Sequence, residues 1–270
     1  MRLQRFGACG AVLIGAAGLL SISPAGPATA ANPLTRQTFA GGSQFPWMVA
    51  TLRINRGGPD SFGCGGALVA PQWVLTAKHC HGGAAGRNPA NWRVRIGAVD
   101  WNSKGETVDV ARVVTNPDES QDLTLLKLAH TVSSPTIGIA PPNTKPYTVG
   151  TKAITMGWGT MSETSTARAP HLRWTWQNVT ANSGCRGGTH GVFCAGRPLN
   201  AGSGTCNGDS GGPLVWSKAG FTADGSPRGR VFVLGTLRGL NNETCYRHGR
   251  NDDWQSTRTG LAWLHRTVHG

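Results

Sequence analysis

The sequence predicts an all-β fold, on three observations. Hydrophobic and polar residues alternate in short segments, since Trp92, Val94 and Ile96 alternate with arginines, and Val231 and Val233 alternate with their neighbours. This period of two is typical of a strand with one buried face. The 39 glycines and 16 prolines punctuate such segments, and no helical periodicity of useful length precedes the last residues. We therefore expect short strands joined by turns over most of the chain.

The N-terminal segment, residues 1–30, has the features of a secretory signal peptide. Arg2 and Arg5 precede the apolar run CGAVLIGAAGLL, and Ala28-Thr29-Ala30 supplies the small residues of a cleavage site. The apolar run is too short to span a membrane. Cleavage would remove two arginines and no acid, which lowers the formal charge from +13 to +11. The sequence thus predicts a secreted protein with no membrane association after cleavage.

Basic residues are in excess, with 26 lysines and arginines against 13 aspartates and glutamates. Such a balance can indicate nucleic acid or an anionic cell wall as a partner. The basic residues are scattered, however, and no run of them is interleaved with aromatic residues, as a nucleic-acid site requires. We therefore expect no nucleic-acid partner.

Two segments lie outside the alternating pattern. Residues 131–150, TVSSPTIGIAPPNTKPYTVG, are rich in proline, and we interpret them as a crossover between two halves of the chain. Within residues 259–270, Leu261, Leu264 and Val268 lie at i, i+3 and i+7. That spacing predicts one short amphipathic helix at the C-terminus.

The sequence GDSGGP at residues 208–213 is the most informative feature of the chain. Glycines flank Ser210, so the backbone can turn tightly and its amides can approach a substrate carbonyl. A serine hydroxyl becomes a nucleophile only with a base and an orienting carboxylate. His79 in LTAKHC and Asp122 at the start of DLTLLKL are the candidates, in the chain order His, Asp, Ser.

His81 is the only local rival to His79 as the base. His79, Cys80 and His81 also form a cluster that a zinc ion could use. No second pair at zinc spacing follows, so we expect no metal site.

These contexts together resemble the chymotrypsin-like (trypsin-like) serine proteases. The resemblance runs from about Phe39 to the C-terminus, and includes CGGALVAPQWVLTAKHC at 64–80, GWG at 157–159 and FCAG at 193–196. Several separate motifs agree, whereas a GxSxG sequence alone also occurs in serine esterases.

The resemblance implies two antiparallel Greek-key β-barrels with the active site in the cleft between them. The N-terminal barrel would cover residues 39–130 and the C-terminal barrel residues 151–258. It also implies a secreted serine endopeptidase that acts on protein or peptide substrates. We expect a monomer that proteinaceous protease inhibitors could bind, and no cofactor is implied.

The resemblance assigns a role to each residue of the site. Ser210 would attack the scissile carbonyl, His79 would take its proton, and Asp122 would orient the imidazole. The backbone amides of Gly208 and Ser210 would form the oxyanion hole.

Six cysteines remain once Cys9 leaves with the signal, and an even number in a secreted chain suggests three disulfides. Spacing alone does not choose the pairs. The resemblance implies Cys64 with Cys80, Cys185 with Cys194, and Cys206 with Cys245.

The sequence allows two interpretations of the specificity pocket. In the family the residue six before the nucleophile, here Gly204, is the base of the pocket, and an aspartate there gives cleavage after Lys or Arg. Family spacing places Asp252 on the pocket wall instead, where a carboxylate could attract a basic side chain. Alternatively Asp252, or Asp253 after a one-residue slip, is solvated or paired with a nearby arginine such as Arg250. Gly204 and Thr205 would then floor an uncharged pocket for large apolar side chains.

Two positions depart from the family pattern. The strand VFVLGTLRGL at 231–240 lacks the Ser-Trp-Gly tripeptide that supports the aspartate of the triad, and either Thr236 or Arg238 takes the serine position. Leu240 would then narrow the pocket mouth. Lys78 replaces the small residue usual before the catalytic histidine, and we expect its side chain to point to solvent.

Activation is a further expectation from the resemblance. In the family a cleavage frees an apolar N-terminus whose ammonium pairs with the aspartate before the nucleophile, here Asp209. The matching motif is FAGG at 39–42. We expect a zymogen whose short propeptide, residues 31–38, is removed between Ala30 and Phe39. Such a signal and propeptide suggest a bacterial source.

Two functions of other classes remain open. A serine esterase would use the chain order Ser, acid, His, with His265 or His269 as its base. A non-catalytic binding protein on the protease scaffold is the second, although this chain keeps all three members of the triad.

Overall fold

A computed structural model describes residues 44–103, 105–141, 144–186, 188–196, 204–240, 245 and 251–270. These residues belong to one compact unit, Asn32–Gly270. The predicted signal peptide, propeptide and FAGG motif lie outside the described residues. The strands that they contain are β1 Met48–Arg53, β2 Ser61–Ala70, β3 Trp73–Thr76, β4 Trp92–Ile96, β5 Glu106–Thr115, β6 Thr124–Leu128, β7 Gly138–Ile139, β8 Lys152–Gly157, β9 Arg173–Thr180, β10 Val192–Gly196, β11 Pro213–Ser217, β12 Val231–Leu240 and β13 Asn251–Ser256.

The first six strands close into an antiparallel barrel in the order β1-β2-β3-β6-β5-β4. The sequence of β4 explains why this segment forms a strand. Trp92, Val94 and Ile96 are buried, while Arg93 and Arg95 between them are half-buried. The alternation seen in the sequence therefore directs one face of the strand into the barrel core. Closure also leaves this sheet without an exposed edge.

The second sheet has the order β11-β8-β9-β10-β13-β12, and pairing between β11 and β12 closes it into a second barrel. Its interior is filled by side chains such as Phe193, Leu214, Leu234 and Trp254. Strand β7, within the predicted crossover, adds to β12 in a parallel pairing. The prediction of two antiparallel barrels is confirmed, with this short parallel strand as an addition.

Helical structure is scarce in the described part of the chain. It comprises α1 Gly83–Arg87, α2 Leu261–His269 and three short 3₁₀ turns, at Lys78–His81, Pro89–Asn91 and Asn182–Gly184. Leu264 of α2 is fully buried in the core, as the apolar spacing predicts. The expected C-terminal helix is confirmed. None of the described helices has the length and apolar character needed to cross a lipid bilayer.

Aromatic packing and backbone bonds join the two barrels. Trp158, which follows β8, is fully buried, and its ring lies 6.0 Å from that of Phe62 in the first barrel. Its Nε1 donates to the carbonyl of Val99 at 2.8 Å, and the Leu172 amide donates to the same carbonyl at 2.7 Å. These contacts hold the facing edges of the barrels together, and the candidate site lies along that junction.

Three disulfides brace the fold. They join Cys64 to Cys80, Cys185 to Cys194, and Cys206 to Cys245, the same pairs that the family resemblance implies. The first joins β2 to the turn that carries His79. The third ties the loop before Ser210 to the chain ahead of β13.

Candidate active site

His79 and Asp122 are brought together by the pairing of β3 with β6. Thr76 at the end of β3 lies opposite Thr124 at the start of β6, so the residues just beyond these two ends are neighbours. Asp122 accepts from the His79 backbone amide at 2.8 Å through Oδ1, and its Oδ2 lies 2.7 Å from His79 Nδ1. Because Nδ1 faces the carboxylate, it carries the ring proton and leaves Nε2 as the basic atom.

Ser210 lies against the same end of the first barrel. The Gly65 amide donates to the Ser210 carbonyl at 2.8 Å, and Gly65 follows Cys64, which is bonded to Cys80 next to His79. His79 Nε2 lies 3.7 Å from Cys80 Sγ, on the side of that disulfide. No hydrogen bond joins Ser210 to the His79 ring among the described contacts, as is common for catalytic pairs before substrate binds.

Gly211 allows this close approach of the two barrels. Its φ of 73° is in the left-handed region, and a Cβ there would collide with Thr76 Oγ1 and lie 2.7 Å from the Gly65 carbonyl oxygen. Its amide donates to the Leu237 carbonyl at 2.9 Å, which fixes the loop to β12 as well. The loop that contains Ser210 is therefore held on both sides of the cleft.

The amides proposed for the oxyanion hole are free within the described structure. Neither the Gly208 nor the Ser210 N–H donates to an acceptor among the described residues. Gly208 has a φ of 95°, and a Cβ there would lie 2.6 Å from Arg168 Nη1. Two unoccupied donors next to a serine hydroxyl are what an oxyanion hole requires.

Gln255 is a residue of the site that sequence reasoning missed. It is fully buried on β13, and its Oε1 accepts from the Asp122 amide at 3.0 Å. Its Nε2 donates to the His190 carbonyl at 3.1 Å, so the amide group is held at both ends. Gln255 thereby supports the aspartate from the second barrel. No local signal could have revealed the contact, because the two residues are 133 positions apart.

We expect Gln255→Leu to lower kcat about 10-fold, because it leaves the buried Asp122 amide without an acceptor, a loss of roughly 1–3 kcal/mol. Gln255→Glu keeps an acceptor at that place and should retain more of the activity. Steady-state kinetics on a peptide substrate and thermal unfolding of both variants would check this. Equal kcat in the two variants would exclude a role for the Gln255 oxygen in positioning Asp122.

The register of β12 decides which of its residues lies beside His79 and Asp122. Leu237 exchanges hydrogen bonds of 2.9 Å with Gly211 and Gly212, so Arg238 follows directly and borders the cleft together with His79. Thr236 is instead buried, and its hydroxyl has no hydrogen-bond partner among the described residues. Of the two residues that the sequence allowed at this place, Arg238 is the one next to the site.

Asp252 and Asp253 are both buried, so the expectation that either is solvated is wrong. Asp252 accepts from the Thr205 hydroxyl at 2.9 Å and lies opposite Leu240 across β12 and β13. Asp253 instead contacts Arg186, whose amide donates to it at 3.0 Å. Arg250, the predicted partner, lies outside the described residues. Gly204, half-buried, directly precedes Thr205 in the same loop.

Asp209 is a further buried carboxyl, directly before Ser210 in the sequence. It accepts from the amides of Gly159 at 2.8 Å and Cys206 at 2.9 Å. Burial raises the pKa of Asp209 to about 6, although those two hydrogen bonds oppose the shift. Burial also raises the pKa of Asp252 to about 7, and the nearby carboxyls of Asp209 and Asp253 add to that rise.

These raised pKa values predict that stability falls as pH rises. The folded chain holds protons on Asp209 and Asp252 up to pH of about 6 and 7, whereas the unfolded chain releases them near pH 3.8. The stabilisation is complete below pH 4 and is lost towards pH 7, so the wild-type chain should lose unfolding free energy relative to Asp252→Asn across that window. Chemical unfolding at several pH values would measure it. Glu163→Gln, an exposed control, should show no such trend, and a constant difference for Asp252→Asn would contradict the prediction.

His81 and Lys78 flank His79 in the sequence and have different surroundings. His81 faces the core and not Asp122, because it is buried with its ring 4.3 Å from that of Trp92. Burial lowers the pKa of His81 to about 3.

Lys78 does not simply point to solvent. Its side chain is 15% exposed, and Nζ contacts the Asp118 carbonyl at 3.0 Å and Glu119 at 3.4 Å. The sulfurs near His79 are bonded to each other and therefore are not thiolate ligands.

Comparison with known proteins adds evidence from outside the structure. A family model described as Trypsin matches residues 36–237. Serine protease SP24D of Anopheles gambiae is 34% identical over 187 residues, which cover 66% of this chain and 65% of that protein. Serine protease 56 of Mus musculus is 34% identical over 71% of this chain and 32% of its own length. Trypsin delta of Drosophila erecta is 31% identical over 64% of this chain and 70% of its own length.

The chain thus spans less than two thirds of the first two of these relatives. All three come from animals, and the bacterial source suggested by the leader stays a prediction.

Proposed function

The chain belongs to the trypsin family, and we propose that it is a secreted serine endopeptidase. The observation that carries the proposal is the contact of His79 with Asp122 at the place where Gly65 holds the Ser210 loop. A base oriented by a buried carboxylate, next to a serine on a glycine-rich turn, is the arrangement that acyl transfer needs.

In the proposed reaction the Ser210 hydroxyl oxygen attacks the carbonyl carbon of a peptide bond while His79 Nε2 takes the hydroxyl proton. Asp122 holds the imidazole and stabilises the imidazolium that forms. The negative charge on the former carbonyl oxygen is met by the amides of Gly208 and Ser210. The tetrahedral adduct then collapses, the leaving amine receives the proton from His79, and an acyl-enzyme remains. Water, deprotonated by His79, releases the acid and restores the serine.

The proposal includes processing of the chain. Removal of residues 1–30 and then of 31–38 would free an N-terminus able to pair with Asp209. The burial of Asp209 and its raised pKa support this, because a carboxyl kept from water gains most from an added cation. N-terminal sequencing of active enzyme that begins at Ala31 would contradict this route. We expect the mature enzyme to act as a monomer and to bind proteinaceous inhibitors.

The esterase alternative needs His265 or His269 as its base, and both are exposed on α2. The contact between His79 and Asp122 supports His79 instead. A binding protein without catalysis would not need an imidazole paired with a carboxylate, as His79 is with Asp122.

Active-site labelling tests the proposed function. An organophosphonate should label Ser210 of the processed protein, and the labelled protein should lose peptide hydrolysis. Cleavage mapping on an unbiased peptide pool would then show whether the pocket selects Lys and Arg, as an ionised Asp252 favours, or large apolar residues, as an uncharged floor of Gly204 and Thr205 favours. An unlabelled serine in protein that still cleaves peptides would refute the proposal.

A further inference from the structure

The cleft beside His79 contains an arginine that the proposed mechanism does not use. The cleft has a volume of about 330 Å³, and its charged or ionisable walls are Lys78, His79, Glu119, Asp122 and Arg238. None of the residues proposed above for the specificity pocket borders this cleft.

The local geometry of β12 explains why Arg238 borders this cleft. Leu237 lies opposite Trp254 and Gly239 lies opposite Asp253, so Arg238 is the extra residue of a β-bulge between two neighbouring pairs. A bulge turns the side chain of its extra residue away from the regular alternation of the strand. The bonds of Leu237 to Gly211 and Gly212 anchor the residue just before the bulge to the loop that contains Ser210.

The ion pairs of the cleft leave Arg238 out. Glu119 has Lys78 at 3.4 Å, and Asp122 has His79 at 2.7 Å. Arg238 forms no ion pair with any carboxylate of the described residues. The Glu119 carboxylate is already paired with Lys78, and the Asp122 carboxylate accepts from the neutral His79 ring. Arg238, a half-buried residue, thus borders the cleft without a direct ion-pair partner among the described residues.

We propose that Arg238 forms a subsite for an acidic side chain of the substrate, at a position adjoining the residue that enters the specificity pocket. The proposal rests on the proposed peptidase function. A guanidinium binds a carboxylate through two parallel hydrogen bonds, and partial burial strengthens the pair because less water competes for it. The substrate class is therefore peptides that carry Asp or Glu next to the pocket residue.

Matched peptides test the subsite in the processed enzyme. Each peptide keeps the preferred pocket residue and carries Glu, Gln or Lys at one of the two flanking positions. We expect kcat/KM for Glu to exceed that for Gln about 10-fold at one flanking position, as a charge-assisted hydrogen bond allows. The preference should shrink at high ionic strength. Ratios near one at both positions would overturn the proposal.

Variants assign the preference to Arg238. Arg238→Gln should bring the Glu-to-Gln ratio near one, Arg238→Lys should retain part of it, and Arg238→Glu should favour Lys peptides. Arg112→Gln removes the same charge from an exposed part of β5 and should leave both the ratio and the activity unchanged. An unchanged ratio in Arg238→Gln would refute the role of this residue.

A binding measurement separates this proposal from the proposed function. Calorimetry of Ser210→Ala with the same peptides measures their binding affinity in the absence of hydrolysis. Glu peptides should bind more tightly than Gln peptides. If the wild-type enzyme cleaved no peptide, the peptidase function would fail while this comparison still decided the subsite. Equal binding of the two peptides would reject the subsite even in an active protease.

Discussion

Ser210→Ala is expected to lower kcat for peptide hydrolysis by a factor on the order of 10⁶, because it removes the atom that would form the acyl-enzyme. The remaining rate above that in water would come from the Gly208 and Ser210 amides and from substrate binding alone. The comparison requires processed protein and a peptide that is known to be cleaved. The rate constant of the chemical step is measured under single-turnover conditions, so that slow release of product does not hide it.

The fold should survive this change. Ser210 is anchored through its backbone carbonyl to Gly65, and alanine keeps that bond. The unfolding midpoint should therefore stay close to that of the wild-type chain. Ser133→Ala, at an exposed serine outside the site, is the matched control and should keep full activity. If Ser210→Ala retained more than about one hundredth of the wild-type rate, another residue would have to be the nucleophile.

Asp122→Asn is expected to lower kcat near neutral pH by about 10⁴-fold. The asparagine amide can donate to His79 Nδ1, which would place the ring proton on Nε2, where it blocks acceptance of the Ser210 proton. The shape of the side chain changes little, so binding should change much less than kcat. The 2.7 Å contact at Nδ1 and the low exposure of Asp122 are the reasons for so large an effect.

A surface change of the same kind provides the control. Asp109→Asn converts a carboxylate that is 63% exposed and paired with Arg93, and kcat should remain within about twofold. Measurement of kcat and KM for both variants over a range of pH separates a lost base from lost binding. A fall of less than 10-fold in Asp122→Asn would mean that the carboxylate does not set the tautomer of His79.

Local pattern was enough for much of the architecture. The alternation of Trp92, Val94 and Ile96 with arginines predicted strand β4, and the i, i+3, i+7 spacing at the C-terminus predicted helix α2. Both signals are local, since a side chain's direction repeats every two residues in a strand and every 3.6 in a helix. The closed barrels were reached by resemblance, because no local period reports which strands will pair.

The details of the site needed contacts between distant segments. Gln255 reaches Asp122 across the junction of the barrels, and no pattern in the sequence near either residue predicts this hydrogen bond. The place of Arg238 depended on a bulge in the pairing of β12 with β13. Lys78 was expected in solvent, whereas folding brings Asp118 and Glu119, 40 and 41 positions away, to its side chain.

By itself the sequence determined the strand pattern, the short C-terminal helix and the three motifs that contain His79, Asp122 and Ser210. Each of these depends on a pattern within a short segment of the chain. Only the tertiary structure decided that Asp252 and Asp253 are buried, that Gln255 supports Asp122 and that Arg238 borders the cleft. The physical reason is that burial and long-range hydrogen bonds arise from barrel closure and strand register, which depend on the whole chain.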